Sequence, residues 1–169
     1  MLRKFTTVIL ILFCFVIQVT LLPAISLGGI TPNLLVILTA SVGFTRGDMP
    51  GMIVGFFCGL FADISYGDMI GFYALLLAYI GFVNGKFCRI FYPEDVKLPV
   101  ALIIVSDLTY EMITYIMLFL LRGRLDFLYY LVRIIFPQAI YTIVLTLLVY
   151  PLLLLGNRWM ENREKRSAL

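Results

Sequence analysis

Six long apolar runs divide the chain: Phe5–Leu22, Ile30–Phe44, Met49–Ile64, Met69–Phe87, Leu98–Leu121 and Phe127–Leu155. Polar residues inside them are sparse and do not alternate with apolar ones, so the runs predict helices. The strands of an outer-membrane barrel would alternate over about ten positions, which disfavours that architecture. Turn chemistry separates the runs. Pro23 and Gly28-Gly29 close the first, and Thr31-Pro32-Asn33 opens the second. Arg46-Gly47-Asp48-Met49-Pro50 turns into the third, with Pro50 at a favoured helix start. Ser65-Tyr66-Gly67-Asp68 and Tyr92-Pro93-Glu94-Asp95 mark the next two breaks, and Arg122-Gly123-Arg124 ends the fifth run.

Composition says where such helices live. Of 169 residues, 62% are hydrophobic and 14% charged, with a mean hydropathy of +1.04. A soluble domain is roughly half apolar and a quarter charged. Because a helix needs about 20 residues to cross the ~30 Å hydrocarbon layer, six spans use most of the chain. The fold class expected is all-α: a polytopic membrane bundle of six transmembrane helices. Residues 1–169 then form a single integral membrane domain with a basic cytoplasmic tail over 156–169.

Lys and Arg resist translocation, so their distribution sets orientation. With both ends cytoplasmic, ten of the thirteen fall inside: Arg3, Lys4, Arg46, Lys86, Arg89, Lys97, Arg158, Arg163, Lys165 and Arg166. Arg122 and Arg124 lie outside, and Arg133 falls within the sixth run. Arg3-Lys4, an apolar run and Ala24-Ile25-Ser26 also resemble a signal peptide with a small-residue cleavage site. The run of Phe5–Leu22 exceeds the usual core of about 7–15 residues, which favours a retained span.

Several chemistries are excluded. The chain has no His, which removes imidazole bases and the usual zinc and haem ligation. Cys14, Cys58 and Cys88 are scattered through apolar sequence and read as packing residues. No cofactor or metal motif is present. The glycine-rich segment Gly51–Gly59 lacks the GK[ST] ending of a phosphate-binding loop and lies within an apolar helix.

That segment is nonetheless the most informative one. Gly51, Gly55 and Gly59 recur every four residues and share one face of the third helix, where another backbone can approach. Asp63 continues the face, Gly67 and Gly71 keep the spacing, and Ala74, Ala78 and Gly81 form a small-residue stripe on the fourth helix. The ladder suits helix packing within the bundle, or an interface for a partner membrane protein.

Charges within spans form a second group. Asp107 and Glu111 are four residues apart on one face of the fifth helix, where two ionised carboxylates repel. Arg133 has the reach to meet Glu111 or Asp63. Gln138 adds an amide, and Pro137 removes a backbone donor and predicts a kink. A structural polar network of Asp63, Asp107, Glu111, Arg133 and Gln138 is expected; an ion or ligand pathway, or a polar docking surface, remains open. An intramembrane aspartyl protease is disfavoured, because both acids share one helix.

Gly51-Met-Ile-Val-Gly-Phe-Phe-Cys-Gly-Leu-Phe-Ala-Asp63 and its continuation through Gly71 resemble the hallmark of the rod shape-determining protein MreD family. Pro32–Leu35, Arg46 before the third span, Glu111 in the fifth and the Arg133…Pro137 pair also look similar. The resemblance implies a component of the elongation machinery in the bacterial plasma membrane, of a family with no known catalytic activity. Its implied partners are MreC, the filament protein MreB, and RodA with its transpeptidase, besides membrane lipid; nucleic acid is not expected. It also implies a fold similar to the S components of energy-coupling-factor transporters. No cofactor or small-molecule substrate follows from it.

Two functions therefore stand: a membrane scaffold of peptidoglycan synthesis during elongation, or the solute-binding subunit of a vitamin-type transporter. In the second, Asp63, Asp107, Glu111 and Arg133 would line a cavity with Phe72, Tyr73, Tyr110 and Tyr115.

Overall fold

The computed structural model describes residues 2–26, 29–67, 69–88, 97–117, 129 and 131–167. Six helices run through them: α1 (Leu2–Ala24), α2 (Leu34–Arg46), α3 (Asp48–Tyr66), α4 (Phe72–Cys88), α5 (Lys97–Tyr115) and α6 (Phe136–Ser167). A π-helical turn, Leu131–Ile135, leads into α6. No strand occurs among the described residues. The breaks expected at 92–95 and 122–124 lie outside them.

Four helical segments are long and apolar enough to cross a membrane: Phe5–Ala24, Asp48–Tyr66, Leu98–Tyr115 and Leu131–Gly156. Leu34–Arg46 and Phe72–Cys88 are shorter apolar helices, so six helices are present as expected and four of them have the length of a span. The second helix begins at Leu34 rather than Ile30 because Pro32 and Asn33 set its start. The Asn33 side chain accepts a hydrogen bond from Val36 N at 3.2 Å, satisfying one unpaired donor of the first turn. Gln18 of α1 adds a second acceptor, taking Leu34 N at 2.7 Å, and donates to Pro32 O at 3.3 Å. At 13 residues, α2 is roughly 20 Å long at ~1.5 Å per residue. Leu34 through Phe44 are all buried, so protein rather than lipid surrounds most of it.

α3 and α4 form the most extensive helix pair, and α2 packs across both. α1 and α6 flank this trio and expose Phe5, Phe13, Val144, Leu148 and Leu152. Such residues on membrane helices cost nothing when lipid surrounds them, and packing rather than water exclusion holds the helices together. α6 continues as helix to Ser167, through most of the segment read as a tail.

Candidate functional site

The glycine face meets α4. A Cβ at Gly51 would lie 2.5 Å from Gly81 O, one at Gly55 2.2 Å from Leu77 O, and one at Gly59 2.2 Å from Tyr73 O. The contacts run antiparallel, and Gly81 and Gly85 of α4 answer in kind: their Cβ atoms would meet Gly51 O at 2.1 Å and Asp48 Cα at 2.2 Å. Gly43 of α2 joins at the same level, its Cβ position 2.5 Å from Gly81 O. Three backbones thus touch where Gly43, Gly51 and Gly81 converge. This face is occupied by the chain itself, which leaves no room there for a partner helix.

Gly67 and Gly71 do not share that face. Gly67 caps α3, its N–H bonded to Asp63 O at 3.1 Å. Gly71 has φ +99° in the turn before α4, a conformation that favours glycine. The turn brings the start of α4 onto Asp63. The Asp63 carboxylate accepts from Gly71 N at 3.0 Å, Tyr73 N at 2.9 Å and Ala74 N at 3.0 Å. A negative charge at a helix N-terminus, satisfying donors that the helix itself cannot, is well placed. Asp63 therefore joins the two helices of the glycine pair at one end, through backbone amides rather than a cation.

Beside this clamp opens a cavity of about 440 Å³. It lies where α1, α3 and α5 approach their C-terminal ends and α2, α4 and α6 begin. Gln18, Asn33, Tyr66, Tyr73, Tyr110, Glu111, Thr114 and Gln138 are among its lining residues. Tyr73 stacks on Tyr110 with ring centroids 5.8 Å apart, and Tyr66 meets the Tyr73 ring at 5.7 Å. Glu111 is 5% exposed and accepts a 2.5 Å hydrogen bond from the Gln138 amide. One turn away on α5, Asp107 is 1% exposed. The Thr142 hydroxyl lies beside it but outside hydrogen-bond geometry, leaving both Asp107 oxygens without a partner among the described residues.

The expected polar network thus separates into parts. Glu111 and Gln138 meet, Asp107 lies apart from the cavity wall, and Asp63 serves α4. Arg133 is exposed on the π-helical turn and joins neither acid, correcting the expected pairing. A long Arg side chain near a helix start can extend toward the headgroups, which avoids its burial cost. Pro137 is the second residue of α6, directly after the π-helical turn Leu131–Ile135, so its missing N–H falls within a continuous helical run. A second proline, Pro151, stands further along α6. Of the four acids and bases expected around a cavity, Glu111 lines this one, and Asp63, Asp107 and Arg133 do not. Among the expected aromatic lining residues, Tyr73 and Tyr110 do so and Phe72 and Tyr115 do not.

This geometry gives a direct test. A double-mutant cycle on thermal stability in detergent should couple Glu111→Ala with Gln138→Ala by about 1 kcal/mol, the scale of hydrogen bonds between membrane helices. Glu111→Ala and Arg133→Ala should be additive; a coupling as large as that with Gln138 would restore the ion pair.

Sequence reasoning missed Gln18, Asn84 and Gly43. Asn84 of α4 donates to Ser106 of α5 at 2.7 Å, a bond between distant segments that no local spacing announces. Gly85 was legible as a glycine four residues from Gly81 on one helical face, whereas Gly43 stands on a different helix from Gly51 and no spacing announces their contact. Among the described residues, no group of three His, Cys, Asp or Glu side chains is placed to hold a metal.

The family model for the rod shape-determining protein MreD matches residues 1–157. Neither a curated protein nor a solved structure matches the chain.

Proposed function

The chain belongs to the MreD family of rod shape-determining proteins, and from that membership we propose that it is a non-enzymatic scaffold of the cell-elongation machinery. Family membership over residues 1–157 carries this reading. In it, the protein sits in the bacterial plasma membrane with both ends cytoplasmic, as the basic residues favour. It binds MreC directly and links MreB filaments to peptidoglycan synthesis by RodA and its transpeptidase. The architecture suits such a role. A core of α2, α3 and α4 closed by backbone contact is rigid, and the apolar outer faces of α1 and α6 remain available to lipid or a partner's membrane helix.

Affinity purification from the native membrane in mild detergent, followed by mass spectrometry, tests the proposal. Stoichiometric recovery of a single-pass protein with a periplasmic coiled coil is expected. A second reading, a solute-binding membrane subunit, is favoured by the cavity of about 440 Å³, a size common among small-molecule sites. Recovery of an ATPase module instead of the single-pass protein would establish that reading and overturn the scaffold.

A further inference from the structure

Three features of the cavity define the chemistry it can hold, independently of any protein partner. The first is an acid with no cation beside it. Glu111 is nearly buried on the cavity wall, and its partner is the neutral amide of Gln138. No described cation pairs with it, since Arg133 is exposed on the π-helical turn. An ionised carboxylate inside a membrane bundle is costly unless a positive group meets it.

The second is an aromatic wall. Tyr66, Tyr73 and Tyr110 run in continuous ring contact along one side. Ring faces and phenolic oxygens are both electron-rich, and such walls attract alkylammonium groups through the ring quadrupole. The third is an amide carbonyl. Gln138 gives its N–H to Glu111, which leaves its carbonyl oxygen as a further acceptor.

We propose that this cavity binds the ammonium group of a small organic cation, with Glu111 as counter-ion, the Tyr66–Tyr73–Tyr110 wall against the alkyl part, and Gln138 accepting an N–H bond. A volume of about 440 Å³ is far larger than one inorganic ion needs and admits an amine with several carbons. Two sources share this chemistry: a free amine, or the headgroup of an aminophospholipid entering from the surrounding bilayer.

The test uses the full-length protein in nanodiscs of phosphatidylglycerol or of phosphatidylethanolamine, titrated with ethanolamine and with choline while thermal stability is recorded. The uncharged control is 3,3-dimethylbutan-1-ol, which has the shape of choline without its charge. In phosphatidylglycerol discs, at least one of the two cations should raise the midpoint saturably, and the uncharged isostere should not. Glu111→Gln should weaken that binding at least tenfold. Tyr66→Leu, at a half-exposed position, should weaken it several-fold and keeps the test open should Glu111→Gln fail to fold. An affinity at least tenfold lower in phosphatidylethanolamine discs identifies the lipid headgroup as the competing source; equal affinity in both identifies the free amine. No saturable shift in phosphatidylglycerol discs with either cation, an equal shift with the isostere, or unchanged binding by Glu111→Gln would overturn the proposal.

Discussion

Replacing Gly59 by leucine should prevent the α3–α4 pair from closing and abolish recovery of a monodisperse, folded protein. The first added atom alone would lie 2.2 Å from Tyr73 O and 2.4 Å from Ala74 Cα. Both are backbone atoms of a helix that is itself clamped at its start by Asp63, so no side chain can swing aside. Overpacking a tight core costs typically about 1–3 kcal/mol, and backbone contact places Gly59→Ala near about 3 kcal/mol, with leucine beyond it. The same reasoning applies to Gly55, whose Cβ would meet Leu77 O at 2.2 Å. Gly156 of α6 supplies the control. Nothing lies within 4 Å of a Cβ there, so Gly156→Ala should be neutral, or more stable by up to about 1 kcal/mol from helix propensity. Thermal unfolding in detergent, with size-exclusion profiles of membrane-inserted protein, checks the series. Wild-type midpoints for Gly59→Leu would refute the packing account. In cells, failure of the bundle should appear as loss of rod shape.

Asp63→Ala should cost about 3 kcal/mol or more. The carboxylate serves three backbone donors at once, and each buried donor left unpaired costs at least about 1 kcal/mol. The loss also removes a charge aligned with the α4 dipole. Asp63→Asn keeps one accepting oxygen but turns an N–H₂ toward donors, so it should fall between Asp63→Ala and wild type. Amide hydrogen exchange locates the damage: Gly71, Tyr73 and Ala74 should lose protection before the rest of α4. Uniform loss along the chain, or none, would mean that Asp63 does not anchor α4. Arg133→Ala should leave this protection unchanged, because the exposed Arg133 does not contribute to the clamp.

These two expectations show unequal legibility. The four-residue glycine spacing announces a close backbone approach, since a repeat of four stays on one helical face whatever the tertiary context. It does not announce the partner, and the structure supplies it from within the chain, in Leu77, Gly81 and Tyr73. The spacing also carried too far: Gly67 and Gly71 match the repeat by number, yet they stand in the turn between helices, where a periodic face no longer exists. Asp63 was visible as an acid at the end of an apolar run, and pairing it with Arg133 followed from charge alone. Backbone amides have no sequence signature, so its true partners could not be read from side-chain chemistry.

The sequence by itself determined that the chain is helical and belongs in a membrane, where its glycines permit close contact, and which carboxylates must be accommodated. Those properties follow from local composition and helical period. The tertiary structure decided that α2 is enclosed by protein. It also decided that Glu111 meets Gln138 across 27 positions, and that three tyrosines from α3, α4 and α5 meet in one wall. Each of these depends on which helix ends lie together in space, and apolar runs of similar composition carry no label that says which neighbour each will choose.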